Sequence, residues 1–435
     1  MRDRLTILPE RPRPRRETAI VYGTANPSTV GPYAQPGPEA TDADAGRANV
    51  GVSPAAQDHG DDLSRETYCI LGIPIDSVEM PSVLRSIERA AASGAPFSIS
   101  TPNLNFLVLS QNDPEFRESL LLSDLCPTDG MPIVWIARMI GVPINKRIAG
   151  SDIFESLKRR PNSGRPLKVF LFGSTGEVAA SAAEKLNSGS GNLSCGGWIC
   201  PGFGDVDELS QDHFIDQINA SKADFLVASL GAKKGQVWLQ RNHRRLRVPV
   251  RAHLGATVNF QAGTVRRAPR VFRDFGLEWL WRIKEEPHLW HRYWHDGFAL
   301  VGLMLGRVLP LAVSAWLLRR RCERYGHDLL VEQIDDEACI TLKLHGYAID
   351  AHVHKAAPFF RNAVASKKDV AVDFSETRAT DSRFLGLLLM LRKQLMSEGA
   401  RLIVVAVSAP VARLFRLHGL DYLLSAGEDH VESFC

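Results

Sequence analysis

Residues 167–186 read LKVFLFGSTGEVAASAAEKL. An apolar run closes on Gly173, and a helical pattern follows from about Glu177 to Leu186. The unit recurs on either side: YCILGIPI before a helix near Val83 to Ala92, FSISTPN before a helix over Leu104 to Leu109, then ADFLVASLG and VPVRAHLGA. Short strands that end in Gly or polar residues and lead into helices predict an α/β fold, a mainly parallel sheet with helices on both faces. Ligands of such sheets sit at the carboxyl ends of the strands. Thr101-Pro102-Asn103, Gly173-Ser174, Gly231 and Gly255 are therefore the first places to look for chemistry.

Around this block the composition changes twice. Residues 1 to about 65 are rich in Pro, Gly, Ala and Asp and lack apolar periodicity, which predicts a disordered tail. Its Arg11, Arg13, Arg15 and Arg16 could touch anionic lipid, though a solvated tail is the commoner outcome. On the other side, residues 276–297 (GLEWLWRIKEEPHLWHRYWHDG) combine four tryptophans with two arginines and three histidines. His288, His291 and His295 share a helical face, but no acidic or cysteine partner has a matching offset, so an interfacial aromatic belt is the better reading. Residues 298–318 (FALVGLMLGRVLPLAVSAWLL) follow, almost wholly apolar and ending at Arg319-Arg320-Arg321. That length could span a bilayer. Arg307 and Pro310 near its middle favour instead a helix lying in the interface or re-entering, with the arginines among anionic headgroups.

The domain plan is thus a tail (1–65), an α/β domain (66–275), a helical membrane-binding appendage (276–325) and a second α/β unit (336–435). In the second unit ITLKLHG, DVAVDFS and RLIVVAV read as strands, and SRFLGLLLMLRKQLMSEG reads as a long amphipathic helix. The chain of 435 residues has room for these parts. Its 52 basic and 49 acidic side chains exclude a polycationic nucleic-acid coat. Seven cysteines without a CxxC pair argue against a disulfide framework or zinc site and favour a reducing cytoplasm. Residues 1–20 have no continuous apolar core, so a secretory signal is not expected.

The most informative cluster is STPNLNFL, then LCPTDGMPIVWIARMIG, then NKRIAGSDIFESL. Asp129 stands where a strand gives way to a helix, between Thr128 and Gly130. A carboxylate there can act as a general base or can merely cap the helix. Taken singly, Thr101 and Asn103 read equally well as turn residues and Arg147 as a surface ion-pair partner.

Together, TPN, PTDG, KRIAGSD, LFGSTGEVA, GAKKGQVW, GLEWLWR and EEPHLWHRY resemble the WecG/TagA/CpsF family, glycosyltransferase family 26, over about residues 68 to 295. The resemblance implies a Rossmann-like transferase that inverts configuration and needs neither metal nor cofactor. It would move a sugar from a UDP-sugar to a polyprenyl-diphosphate-linked acceptor at the cytoplasmic face of the inner membrane, in exopolysaccharide or related surface-polymer synthesis. The base would fall on Asp129, with Thr101, Asn103 and Arg147 in support. Arg282 and Arg292 align with arginines thought to close the site. Gly173, Ser174, Gly231, Gln236 and Gly255 are the remaining donor-binding candidates. Where the family has Gly-Ala-Pro-Lys-Gln-Glu, this chain has Gly231-Ala232-Lys233-Lys234-Gly235-Gln236, and Asn259 replaces a common Asp. Both departures touch sugar selectivity more than the reaction. An acidic pair for a catalytic Mg²⁺ would stand at a strand end. Asp42/Asp44 and Asp205/Asp207 do not.

The segment DVAVDFSETRATDSRFLGLLLMLRKQL resembles the STAS domain of anti-sigma-factor antagonists. Ser382 takes the switch-phosphorylation position, but Arg383-Phe384 replaces the usual Ser-Gly, so an ordinary capping role is as good a reading. The resemblance implies a regulatory protein partner. An alternative to catalysis is an inactive scaffold acting through this unit. A nucleotide-dependent dehydrogenase is disfavoured because no strand leads into GxGxxG.

Overall fold

The structure, a computed structural model, describes Val21–Gly23 and residues 61–428, apart from 162–164, 190, 270, 273–275 and 326–327. Eight strands belong to the first unit: β1 (Val21–Gly23), β2 (Thr67–Ile70), β3 (Ile73–Asp76), β4 (Phe97–Ile99), β5 (Leu167–Gly173), β6 (Leu193–Cys200), β7 (Phe225–Ser229) and β8 (Val250–His253). The main sheet runs β1-β6-β5-β7-β8-β4, parallel throughout except for β1. Its strands are apolar on both faces because both faces are covered. Along β5 successive side chains alternate. Val169 and Leu171 pack with Ile153, Leu157, Ala182 and Leu186 on one side, while Phe170 and Phe172 pack with Phe214, Ile218 and Trp238 on the other. The chain moves from β5 outward to β6 and then back across to β7. That reversal opens a crevice beyond the carboxyl ends of β5 and β7.

Two sequence expectations change here. YCILGIPI is not one strand of the parallel sheet. It folds into the separate hairpin β2–β3, because Leu71 (φ 49°) and Gly72 (φ 90°) take up the two left-handed positions of a tight turn. The disordered-tail reading lies largely outside the described residues, but Val21–Gly23 adds an antiparallel edge strand to β6, and Asp62–Ser64 forms a short 3-10 turn.

The second unit begins earlier than 336. β9 (Leu329–Asp335) pairs antiparallel with β10 (Cys339–Ala348), which pairs in parallel with β11 (Asp369–Phe374) and β12 (Thr377–Thr380); β13 (Leu402–Val407) completes the sheet beside β11. The helix Ser382–Ser397 is not amphipathic in its setting: 12 of its 16 residues are buried, Arg383 and Lys393 among them. One side packs on the sheet core with Phe360 and Phe374, and the other lies against hairpin strand β2. A Cβ at Gly386 would run into the Thr67 carbonyl, so the close approach needs glycine. Lys393 Nζ meets Asp124 at 2.8 Å and Asp62 at 3.0 Å, and Arg392 meets Glu118 at 2.8 Å. Leu63, Cys69 and Leu121 of the first unit belong to the same apolar cluster as the second unit's core.

Between the units lies a continuous helix of 37 residues, Pro287–Glu323, long and apolar enough to cross a membrane. Pro310 cannot donate to the carbonyl of residue 306, and the ladder widens to a π-helical turn at Met304–Val308 just before it. One face packs on the protein. Asp296, Val308 and Leu311 are buried, and Arg307 Nη1 donates to Gln111 Oε1 at 2.7 Å. Arg307 is thus satisfied by the protein rather than presented outward. Trp290, Trp294, Phe298, Val301, Leu305, Leu309, Val313 and Trp316 form an exposed stripe at three- and four-residue spacing.

Candidate active site

The Asp129 loop is held on three sides. Asp129 N donates to Pro102 O (2.8 Å), and Ile148 N donates to Thr128 O (2.7 Å), which draws the KRIAGSD segment alongside PTDG. Gly130, at φ 126°, starts helix Met131–Met139 and lets the loop close over Asn103. Asn103 Oδ1 accepts from Phe106 N at 3.1 Å, capping helix Leu104–Asn112, so its turn role is realised. Thr101 is buried beneath Gly150, where a Cβ would collide with Leu254. Capping is not the role of Asp129, since helix Met131–Met139 has no side-chain cap.

Around Asp129 stands a cluster of opposite and like charges. Arg147 Nη1 lies 4.0 Å from Asp129 Oδ1 and 2.6 Å from Glu278 Oε2, while Nη2 lies 3.6 Å from Asp152. Arg267 pairs with Asp152 and donates to Ser151 at 3.1 Å. Burial pushes the Asp129 carboxyl up to about 7; Arg147 opposes this, and Glu278 and Asp152 add to it. A carboxyl poised near neutrality can take a proton from a hydroxyl at working pH. Sequence reasoning took Arg282 from the GLEWLWR stretch and passed over Glu278 one turn earlier, the residue that grips Arg147.

The other candidates fall into three groups. Gly173 and Ser174 line the crevice at the topological switch: Ser174 N donates to Ser229 O (3.0 Å), and a Cβ at Gly173 would strike that same carbonyl. Gly231 (φ 86°) opens helix Ala232–Arg241 with free space where a Cβ would be, and Gly255 opens helix Gly255–Ala262, accepting from Ser229 Oγ at 3.0 Å. Gln236 lies below this surface, buried, its amide donating to Ser100 Oγ. Gly235 is glycine because His253 fills the place of its side chain. His253, missed in the sequence, sits buried at the end of β8, with its pKa pushed down to about 4 by burial and so neutral. Arg282 pairs with Glu286 and lies over the Phe260 ring at 5.6 Å; Arg292 is exposed and lies over Tyr293 at 4.9 Å. Asp207 pairs with Arg241, and Asp205 Oδ1 accepts from Glu208 N.

With a crevice at the carboxyl ends of a doubly wound sheet and a neutral-range carboxyl beside it, the first unit has the build of an α/β transferase. Residues 68–312 match the glycosyl transferase WecG/TagA/CpsF family, and residues 331–425 match a model described as Mlab, STAS domain. The chain belongs to the WecG/TagA/CpsF family of glycosyl transferases and carries a STAS-like second domain. A relative from Bacillus spizizenii, named N-acetylglucosaminyldiphosphoundecaprenol N-acetyl-beta-D-mannosaminyltransferase, is 27% identical over 46% of this chain and 74% of its own. A protein of the same name from Staphylococcus aureus is 24% identical over 49% of this chain and 82% of its own. A solved structure of the anti-sigma factor antagonist SpoIIAA in its unphosphorylated form is 17% identical, covers 25% of this chain and 99% of that one, and has a TM-score of 0.21.

Proposed function

We propose that this enzyme transfers a sugar from a UDP-sugar to a saccharide carried on polyprenyl diphosphate, with inversion and without a metal, in surface-polymer synthesis at the cytoplasmic face of the membrane. The observation that carries the reading is Asp129 in the PTDG loop, 4.0 Å from an arginine that also holds Glu278 at 2.6 Å and Asp152 at 3.6 Å, its carboxyl pushed by burial toward neutrality. Asp129 takes the proton of the acceptor hydroxyl, whose oxygen attacks the anomeric carbon. The bond from that carbon to the nucleoside diphosphate breaks, and the leaving group departs with the electron pair. Gly231, with open space where a Cβ would stand, leaves backbone free to approach the diphosphate at the start of its helix, with Gly173 and Gly255 at the neighbouring strand ends, and Arg282 and Arg292 supply cationic help from the appendage. The relatives' names make N-acetylglucosaminyl-diphospho-polyprenol the first acceptor to try and N-acetylmannosamine the first sugar.

The long helix supports placement on one membrane surface. Its inner face is packed on protein and its outer stripe is apolar, the pattern of a helix lying in the interface. The two units also touch through helix Ser382–Ser397, which a full crossing between them would prevent. The test is a panel of radiolabelled UDP-sugars offered with the polyprenyl acceptor in the presence of EDTA, with the anomeric configuration of the product read by NMR. Transfer with inversion, lost in Asp129→Asn, supports the reading; strict need for added Mg²⁺ or Mn²⁺, or retention, refutes it.

A further inference from the structure

At the far end of helix Met131–Met139 from Asp129, about 14 Å along at the usual helical rise, the two units and the long helix enclose a second cavity of about 490 Å³. One wall is aliphatic: Ile140, with Leu311, Ala315 and Leu318 from the long helix. The rim is cationic: Arg321 from that helix and Arg378 and Arg413 from the second unit. None of the three has an ion pair with a carboxylate among the described residues. Thr380 and His418 also line the cavity, both at least nine-tenths buried, and Thr380 Oγ1 and His418 Nδ1 have no hydrogen-bond partner among the described residues. The carboxylate there, Asp381, is already committed: it accepts from Phe384 N (2.9 Å) and Asp350 N (2.8 Å).

We infer that this cavity binds an anionic phospholipid, its phosphate held by Arg321, Arg378 and Arg413 and its acyl chain laid along Leu311 and Leu318. Leu317 lines the cavity and is also exposed beside Trp316 of the outer stripe, so apolar surface adjoins the cavity on its membrane side. The volume falls in the usual range for small-ligand sites, about 300–1,000 Å³, and a polar head with an apolar tail matches the two walls. Entry from a bilayer rests on the membrane-surface placement proposed above; binding itself does not.

The test uses the full chain in neutral detergent, titrated with dioctanoyl phosphatidylglycerol, dioctanoyl phosphatidylcholine or glycerol phosphate, with bound ligand counted by native mass spectrometry. Phosphatidylglycerol should bind at least about tenfold more tightly than either comparator, and Arg378→Ala with Arg413→Ala should weaken it by about tenfold or more, the scale of lost charge-assisted contacts. Ala315→Trp, which fills the apolar wall, should remove phosphatidylglycerol binding while leaving the arginines in place. Equal binding of glycerol phosphate, or unchanged phosphatidylglycerol binding in these variants, overturns the inference. Vesicle flotation of the wild-type chain, measured separately, reports on the membrane placement alone.

Discussion

Asp129→Asn should cut turnover and, at the same time, stabilise the fold in a pH-dependent way. Burial, Glu278 and Asp152 hold this carboxyl near 7 against an ordinary value of 3.8. The folded state therefore keeps its proton over a range where the unfolded chain has lost it. That contribution to stability is complete below the unfolded value and is lost as pH rises through about 7. A shift of about three pK units corresponds to an upper bound of about 4 kcal/mol. The side chain is 26% exposed, so screening by solvent brings the expected gain of the neutral Asn at pH 8 to about 1–2 kcal/mol. At pH 4 both side chains are largely neutral in the fold and the gain should vanish. Urea unfolding of both proteins at pH 4 and 8 measures it, and transfer assays at pH 8 should show a loss of about 100-fold or more. An unfolding difference that is the same at both pH values would refute the burial argument. Near-normal transfer would refute the base assignment.

Glu278→Gln should shift the rising limb of the kcat/KM profile of transfer to lower pH, because a carboxylate that raises the Asp129 pKa is gone; an unmoved limb counts against the cluster. Gly386→Ala should cost about 1–3 kcal/mol and raise hydrogen exchange in β2 and in helix Ser382–Ser397, since its methyl group has no room beside Thr67; unchanged exchange would show that the contact is not needed. Trp294→Glu with Val301→Glu should weaken flotation with anionic vesicles by at least about tenfold without changing the circular dichroism, and full retention on vesicles would reject the stripe as the contact surface.

The parts of this molecule that could be read directly were those fixed by local pattern. The apolar run of β5 closing on Gly173, and the helices that follow each strand, depend on near neighbours and were found close to their bounds. The Asp129 and Arg147 stretches were legible because their residue types and order match the family. What escaped depends on partners distant in the chain. The burial of helix Ser382–Ser397 on both sides comes from β2, more than 300 residues away in sequence, as the bond from Ser382 Oγ to Cys69 O (2.8 Å) shows. The capping reading of Ser382 does not survive: Asp381 caps the helix, and the Ser382 hydroxyl donates into the contact between units. Glu278 and His253 were hidden for the same reason, since nothing near them in sequence reveals Arg147 or Gly235.

Helix Ser382–Ser397 has a consequence for how such a chain could have arisen. A domain joined by a free linker can be gained, lost or exchanged with little adjustment. Here the graft has healed over: the helix has given up a solvent face, seated Lys393 between two aspartates of the transferase, and requires a glycine opposite a foreign backbone carbonyl. Cut apart, one piece would bare the Ser382–Gly386–Lys393 face of the helix, and in the other Asp124 would lose its lysine while Asp62 kept only Arg65. Each half carries residues, Gly386 and Lys393 among them, shaped to the other's backbone and charges, so the two should be inherited, expressed and degraded as a single unit.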